Sequence, residues 1–523
     1  MKINFIFILL LLVVSCKKNK TTWNTDWDVP LVQDSLTLSQ LVDDSMIVSN
    51  LGVYEFSFNR ELFQLKLSDF VQIPDTSVDH IYSFPINLNV NPGFSFVNDV
   101  QEHVIDLDDV ELKKIKVKAG GVFLKVYNPI ETKTFFTVEL PGVTKNGLTL
   151  SKTFTAAAGT ISNPTVTQTY VDLSGYDIDL RGANSLNFNR IQSKLVVQSD
   201  PAGPAVNVTT STAFKFNFTM QNITLSYARG YFGQFSETKT EEFNLEALDK
   251  IESGLIDIDA ADLELKVENG LKVNARFKLT SLKNTNAQLS EVNLTHPIVN
   301  QWQSITSASG SSSSTLNPSV NIYEFNGSNS NLEAILENHG AKNELGYSIQ
   351  LNPWGNTSGG WDEVYDEHPF TVSLKGTLPM KFGCDNLILK DTFAINIVQD
   401  KEKTHVESGM FVLNATNAFP MNANVQLVLL DQNKFSLGAI NGSQLVESSI
   451  YGTVVNGIQQ MKSKVLFEIP SNLVDELNNA KFITVRVTLN TPDASGNAIQ
   501  YDIPIDGFFK FTLNAKLNIK ASV

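Results

Sequence analysis

The chain has 523 residues and a mass of 57.8 kDa, and 42% of its residues are hydrophobic. This composition excludes a disordered or collagen-like chain, and the length predicts about three domains. Forty Lys and Arg against 55 Asp and Glu give a net charge of −15, which argues against nucleic acid as a partner. Two Cys are too few for a disulfide scaffold or a Cys-rich zinc module.

The N-terminus predicts an export signal. A basic start is followed by an apolar stretch over residues 3–14, interrupted only by Asn4. This stretch is too short for a membrane-spanning helix, which needs roughly 20 residues, but it fits the core of a signal peptide. The sequence Val13-Val14-Ser15-Cys16 resembles a bacterial lipobox, which implies that Cys16 is acylated and becomes the mature N-terminus. The alternative is an ordinary secretory signal with a chance Cys.

The residues after Cys16 bear on location. Lys17 takes the place of the Asp that often retains bacterial lipoproteins in the inner membrane, so we expect anchoring in the outer membrane. Lipoproteins exported to the surface of Bacteroidota often carry an acidic run here, whereas this chain continues as Lys18-Asn19-Lys20. We therefore favour a periplasm-facing protein over a surface-exposed one. A basic tether also suits anionic lipid headgroups, so the membrane is one expected partner.

Most of the chain reads as β-strands. Apolar residues alternate with Lys, Asn or Thr, which is typical of antiparallel sheets with one solvated face. We therefore predict an all-β protein of tandem antiparallel sandwich-like units with a few short helices. The clearest predicted strands cover residues 122–127, 135–140, 214–220, 263–267, 276–279 and 509–519.

Three short amphipathic patterns predict helices. The first places Phe243, Leu245, Leu248 and Ile251 on one face. A second covers residues 332–336 and ends at Gly340. In a third, Ser471 precedes an apolar face as a predicted N-cap.

A weak internal repeat centres on three Asn residues. Asn128, Asn269 and Asn417 each end a predicted strand and are followed by a small or Pro residue and then an apolar one. A second alternating strand begins within about eight residues of each, a pattern that Asn suits because it tolerates turn geometry. The three Asn lie 141 and 148 residues apart, which is a domain-sized period and predicts two or three related β units.

Two resemblances to known families follow from these patterns. The strand, Asn and turn pattern is similar to that of late-embryogenesis-abundant and water-stress β-sandwich domains, although only Asn128-Pro129 keeps their Asn-Pro pair. The Trp-rich segment at residues 23–31 and the Leu-patterned segment at 35–42 resemble the start of uncharacterised Bacteroidota lipoproteins. The second resemblance implies an outer-membrane lipoprotein and supplies no activity.

A Ser-rich stretch at residues 304–314 predicts a linker. We therefore divide the chain into ranges by composition and pattern. These are a signal peptide (1–15), a tether with a Trp-rich segment (16–50), a first β domain (51–255), its strand-rich continuation (256–302), a Ser-rich linker (303–317) and a C-terminal β domain (318–523).

The sequence carries no common catalytic motif. Zinc-binding His pairs, a nucleophile elbow and Gly-rich phosphate loops are all missing, so we predict no metal, no cofactor and no catalytic residue. One loop is rich in aromatic and acidic residues, which could stack on a glycan or bind calcium, although a solvated hairpin explains it more simply. Its candidate residues are Trp354, Trp361, Asp362, Glu363, Tyr365, Asp366 and Glu367.

These observations favour a non-catalytic binding or assembly module on the outer membrane, whose partner is an envelope protein or a glycan. The 33 Phe residues leave open a lipid-binding or lipid-transfer tube, although core packing is the plainer explanation. A glycan-binding or glycan-hydrolysing surface protein is the third alternative. Cys384 is expected to be a buried small hydrophobe rather than a reactive thiol.

Overall fold

A computed structural model describes residues 22–37, 47–50, 53–244, 251–340, 342–395, 404–492 and 499–522. The predicted lipidation site, Cys16, lies outside the described residues, as do the signal peptide and the basic tether at residues 17–20. Among the described residues, no helix is both long and apolar enough to cross a bilayer.

The described residues form an all-β protein with three short α-helices, which confirms the predicted fold class. The strands are β1 (Thr22–Thr37), β2 (Ile47–Asn50), β3 (Val53–Leu65), β4 (Ser77–Ser83), β5 (Leu88–Val90), β6 (Ser95–Val104), β7 (Glu111–Asn128), β8 (Thr134–Lys145), β9 (Leu148–Ala156), β10 (Thr165–Asp172), β11 (Asp177–Asp179), β12 (Arg190–Ser199), β13 (Val206–Val208), β14 (Ala213–Tyr231), β15 (Phe235–Asn244), β16 (Ile251–Ile258), β17 (Asp262–Asn269), β18 (Ala275–Thr285), β19 (Glu291–Asn293), β20 (Gln303–Ile305), β21 (Ser319–Phe325), β22 (Lys342–Leu351), β23 (Asp362–Tyr365), β24 (Phe370–Pro379), β25 (Lys381–Ala394), β26 (Thr404–Asn417), β27 (Asn422–Leu430), β28 (Ser436–Asn441), β29 (Thr453–Val455), β30 (Ile458–Glu468), β31 (Phe482–Asn490), β32 (Tyr501–Asp502) and β33 (Phe508–Ser522). The helices are α1 (Leu67–Phe70), α2 (Leu332–Glu337) and α3 (Ser471–Leu477), with 3-10 turns at Ser313–Thr315 and Ser449–Tyr451.

Two of the three predicted helices are present in the structure, and the remaining one is absent from the described residues. Helix α2 confirms the second pattern. Helix α3 confirms the third, but Pro470 is its N-cap and Ser471 is already its first residue. The first prediction is wrong at both ends, because Phe243 lies in β15 and Ile251 in β16; residues 245–250 lie outside the described residues. Pairing with neighbouring strands overrides the local helical pattern there.

The strands form three sandwich units with the same topology. Unit 1 has a first sheet ordered β4-β14-β7-β10 and a second ordered β6-β12-β8-β9. Unit 2 repeats this as β3-β24-β17-β21 and β15-β22-β18, with β19 and β20 on the free side of β18. Unit 3 repeats it as β1-β33-β26-β30 and β25-β31-β27-β28. All of these pairings are antiparallel.

The units are nested in the chain rather than strung in tandem. The chain gives β1 to unit 3, then β3 to unit 2, builds unit 1 from β4 to β14, and returns to complete unit 2 and finally unit 3. Unit 1 is therefore inserted into unit 2, and unit 2 into unit 3. Among the described strands, none of unit 1 pairs with a strand of unit 3, so unit 2 links the other two.

The pairing also divides the chain differently from the predicted ranges. The Ser-rich stretch lies inside unit 2, where Ser309 and Asn317 bond through their backbones and a 3-10 turn follows Ser312. Composition marked it as a boundary because composition carries no information about which distant strands pair.

Each unit is closed by one of the three predicted Asn residues. Asn128, Asn269 and Asn417 are buried at the crossing from the first sheet to the second. Each donates through Nδ2 to the carbonyl four residues ahead, at 2.7–2.9 Å, and accepts through Oδ1 from the amide two residues ahead. The second Nδ2 hydrogen goes to a carbonyl of the segment that returns to the first sheet, at Ala157, Thr306 and Glu447.

A backbone bond completes the same arrangement in all three units. The amides of Gly159, Ala308 and Ser449 donate to the carbonyls of Ile130, Leu271 and Phe419, which lie two residues after each Asn. The repeat is therefore a shared bonding device, in which a buried amide side chain satisfies backbone groups that the sheet ladders leave over.

We predict that Asn128→Ala, Asn269→Ala and Asn417→Ala each lower the free energy of unfolding by about 3 kcal/mol, because two carbonyls and one amide lose their partner in a buried place. Differential scanning calorimetry of each variant measures the effect, and Asn89→Ala on an exposed strand position is the control. If the transition temperatures of the three variants shifted no more than that of the control, a shared structural role would be contradicted.

Candidate functional site

The predicted glycan or calcium loop lies at the junction between units 1 and 2. Strand β23, which carries its acidic residues, belongs to unit 2 by sequence but pairs with β14 of unit 1. Lys113 of unit 1 donates to the carbonyl of Gly359 at 2.7 Å, and Lys118 pairs with Asp366 at 2.6 Å. The loop is thus held against unit 1 from both ends.

Glu363 is the centre of this junction. Its carboxylate is buried and accepts hydrogen bonds from two residues of β14, Tyr227 (through Oη, at 2.7 Å) and Arg229. It also accepts a hydrogen bond from Lys272 of unit 2. Burial alone would raise the pKa of Glu363, but the hydrogen bonds from these three groups outweigh it and hold the pKa below its usual value. A buried carboxylate with donors from both units is a structural tie between them.

Asp362 lies beside Glu363 but faces a different environment. Burial raises its pKa, against the lowering effect of hydrogen bonds from Ser358 and Asn352, and its Oδ2 has no partner among the described residues. Consecutive residues of a strand point to opposite faces, so these two carboxyls do not form a pair across a substrate. The structure therefore offers the glycan-hydrolysing alternative no pair of catalytic carboxyls here.

The remaining predicted residues of the loop are distributed around the junction. Tyr365 packs on Tyr227, with ring centroids 4.8 Å apart, and Glu367 accepts from Ser313. Trp361 lies beside Lys113 and Arg229 with its ring half-exposed, and Trp354 is also exposed. Among the described residues, no group of three or more acidic, His or Cys side chains could hold a metal ion. Glycan stacking on Trp354 and Trp361 stays a prediction.

We predict that Glu363→Gln weakens the junction by about 2 kcal/mol, because Lys272 and Arg229 lose the charge that pairs them. Hydrogen exchange at β23 and β14 should speed up, and the calorimetric transitions of units 1 and 2 should separate. Glu367→Gln, at an exposed neighbouring position, should change neither readout.

A second polar cluster, which sequence reasoning missed, closes one edge of unit 1. His80 on β4 contacts Ser193 Oγ through Nδ1 at 2.7 Å and Asp99 through Nε2 at 3.0 Å. His103 on β6 reaches the same Ser193 hydroxyl at 2.7 Å. These residues come from both sheets of unit 1. In the sequence, the one signal of the cluster is that Asp99, Gln101 and His103 alternate and so share a strand face.

The bonds define the protonation state of this cluster. Asp99 accepts from His80 Nε2, so His80 Nδ1 accepts the Ser193 hydroxyl and His103 donates to Ser193. This chain of groups resembles a nucleophile with its base, but Ser193 is fully buried and no substrate reaches its hydroxyl. The arrangement therefore ties the two sheets together through neutral imidazoles.

We predict that acid destabilises unit 1 through this cluster. Burial lowers the pKa of His80, more than the bond and charge of Asp99 raise it, and burial with the nearby His80 lowers the pKa of His103. The unfolded chain then takes up protons first, so the stability contribution is complete above about pH 6.5 and is lost as the pH falls towards the folded-state pKa.

Melting temperatures of the wild type and of His80→Gln/His103→Gln at pH 7.5 and pH 5 check this. The double variant should lose less stability on acidification than the wild type. Some loss should remain in the double variant, because burial also lowers the pKa values of His296 and His339, which it retains. His405→Gln, at an exposed His, should follow the wild type. Equal acid losses in all three proteins would show that the cluster does not titrate in this range.

The outer face of the first sheet distinguishes unit 1 from the other units. Phe123, Tyr127 and Tyr170 point outward there, and we name them the aromatic face. The rings of Phe123 and Tyr170 lie 4.9 Å apart, and Lys125 and Lys215 flank Tyr127 at 5.4 and 5.3 Å from its ring centroid. Gly121 makes room for Tyr170, because a Cβ at that position would collide with the Tyr ring.

The three Asn residues align the units and allow a direct comparison of this face. Relative to Asn128, the aromatic face occupies positions on the strand that ends in Asn and on its neighbour. The same positions in unit 2 hold Glu264, Glu268 and Glu324, and in unit 3 they hold Val412, Thr416 and Leu466. The fold therefore does not require aromatic residues at these positions.

The Phe residues contribute mainly to the cores. The largest fully buried side chains, which include nine Phe, fill the spaces between the sheets. Cys384 is also buried, in a small apolar cluster with Leu387, Met421 and Ile503, and burial raises its pKa to about 12. The thiol is therefore a core residue, as the sequence indicated.

Comparisons with known proteins add no family. No family model and no curated protein matches the chain. Among solved structures, a candidate secreted protein of Parabacteroides distasonis aligns over 94% of this chain and 99% of its own, at 10% identity and a TM-score of 0.26. A chain from the structure of broad bean stain virus aligns over 61% of this chain and 94% of its own, at 11% identity and a TM-score of 0.17. A chain from the VP2 subviral particle of infectious bursal disease virus aligns over 85% of this chain and 80% of its own, at 8% identity and a TM-score of 0.12. Similarities this low carry no argument about this chain.

Proposed function

We propose that the protein is a lipid-anchored component of the bacterial outer membrane, facing the periplasm, and that unit 1 is a non-catalytic binding module. The aromatic face of unit 1 docks an envelope protein or a glycan. The comparison between the three units carries this proposal, because aromatic residues occupy these aligned positions in one copy of the shared fold, where Phe123 and Tyr170 are exposed.

The chemistry of the face suits such a partner. Tyr and Phe rings offer flat apolar area at low entropic cost, and the neighbouring Lys125 and Gln168 offer hydrogen bonds around it. These polar residues lie in one cross-strand row beside the rings. A flat face of this kind fits a sheet surface or a sugar ring better than a lipid chain, which needs an enclosed apolar cavity.

The nested topology supports the anchoring arrangement. Strand β1, which follows the predicted lipidation site, belongs to unit 3, whereas the described strands of unit 1 adjoin unit 2 and pair with none of unit 3. The binding face is thus two units removed from the unit that adjoins the membrane tether. Many Phe residues are buried in the cores, which supports core packing as the reason for the high Phe content and favours the binding module over the lipid-transfer alternative.

We predict that a photoreactive residue at position 127 forms a covalent adduct in living cells, whereas one at position 322, on the corresponding face of unit 2, does not. Mass spectrometry of the adduct identifies the partner as protein or glycan. The double variant Phe123→Ala/Tyr170→Ala should weaken binding of that partner about 10- to 100-fold, and Val320→Ala/Ile322→Ala should leave it unchanged. Equal adduct yields at both positions would refute the proposed face.

We predict that Cys16→Ala moves the protein from the membrane to the soluble fraction and abolishes incorporation of a labelled fatty acid, because Cys16 is the proposed acylation site. Cys384→Ala is the matched control, since it removes the other Cys of the chain and should keep both properties. Membrane association of Cys16→Ala at the wild-type level would contradict lipid anchoring.

A further inference from the structure

Strand β1 presents two exposed tryptophans on one face. Trp23 and Trp27 are four residues apart and so point to the same side of the strand, about 13 Å from each other. Trp27 pairs across the sheet with Leu517, which is buried in the core of unit 3. Trp23 and Trp27 nevertheless remain 55% and 45% exposed. They lie at the N-terminal end of β1, where the described residues do not cover the core-facing side of the sheet.

The opposite face of β1 is polar, and its acidic side chains have hydrogen-bonding or charged partners. Asp28 pairs with Lys516 at 3.7 Å, and Asp26 accepts from Asn518 at 2.9 Å. Nearby, Glu407 pairs with Lys520 at 3.4 Å. These acidic residues lie on the side away from the indoles, and Asp28 and Glu407 are ion-paired, so they oppose an anionic surface on the Trp side only weakly.

The position of the pair in the chain places it near the proposed anchor. Seven residue steps separate Trp23 from Cys16, which is at most about 25 Å of fully extended chain. Lys17, Lys18 and Lys20 lie in this interval and complement anionic headgroups. Trp is the side chain that favours the boundary between headgroups and acyl chains, because its ring is apolar and its N–H is polar.

We propose that Trp23 and Trp27 insert into the bilayer interface and dock unit 3 directly on the membrane surface. This docking rests on the proposed anchoring at Cys16 and adds a second membrane contact to it. The pair supplements a single attachment point, which alone would let the protein rotate freely about the tether. Docking through β1 sets one orientation of unit 3 and directs unit 1 relative to the membrane plane.

The test imposes the anchor chemically, so that a failure of native acylation does not affect it. The mature chain from residue 16 onward is coupled through Cys16 to a maleimide lipid in phosphatidylethanolamine and phosphatidylglycerol vesicles. Cys384 does not compete, because its side chain is buried. A second vesicle preparation carries brominated acyl chains, which quench indole fluorescence only at short range.

The proposal predicts that bromine quenches up to about two-fifths of the emission, since two of the five Trp residues contact lipid. Trp23→Ala/Trp27→Ala should abolish this quenching. Trp354→Ala is the matched control, because Trp354 is 56% exposed at the junction of units 1 and 2 and should leave the quenching in place.

A second readout measures the affinity of the uncoupled chain carrying Cys16→Ser for the same vesicles. Each Trp→Ala substitution at position 23 or 27 should lower partitioning about tenfold, and Trp354→Ala should not. Quenching that is absent in the coupled wild type, or that persists in the double variant, overturns the proposal. Quenching by the coupled protein together with a failure of Cys16 acylation in cells would leave the docking intact and refute only the native anchor.

Discussion

The fold depends on one buried amide side chain that recurs in each unit. Where the chain crosses from one sheet of a sandwich to the other, its backbone groups leave the ladder and face an apolar interior. Asn128, Asn269 and Asn417 satisfy these groups with the same three bonds, and an amide-to-carbonyl bond two residues on completes the set. An unsatisfied carbonyl in such a place costs a large share of a domain's net stability, so a residue that satisfies two of them constrains what can replace it.

The nesting of the units has mechanical and functional consequences. Units 2 and 3 each contain strands from both sides of the unit inserted into them, so both are complete only after the chain has returned from the insertion. Such pairings join residues hundreds of positions apart, as between β1 and β33, and give the fold a high share of nonlocal contacts. The same nesting keeps strand β1 in unit 3, and in the part of the chain that the structure describes unit 1 pairs with no strand of unit 3. The buried Glu363 then ties unit 1 to unit 2 with donors from both.

Three copies of one sandwich provide an internal comparison between what the fold needs and what it permits. The inner faces keep the buried Asn and the apolar strands, whereas the aligned outer positions of the first sheets differ in chemistry: Phe and Tyr in unit 1, Glu in unit 2, and Val, Thr and Leu in unit 3. Outer positions are free to vary because they contribute little to the core. Their divergence is therefore the most direct indication of separate roles for the units.

The sequence by itself determined the class of fold and the repeat, because both depend on local patterns: alternation along a strand and an Asn at a strand end. An apolar segment before Cys16 is likewise a local pattern, and it supports the proposed export and anchoring. Tertiary structure alone decided the nesting, the junction role of Glu363 and the cluster of His80, His103 and Ser193. The acidic loop looked like a ligand site because charge and aromatic content are visible in sequence, whereas the Lys and Arg partners of its Glu363 lie more than 90 residues away in the chain. Pairing between distant strands places those partners, and no local pattern encodes it.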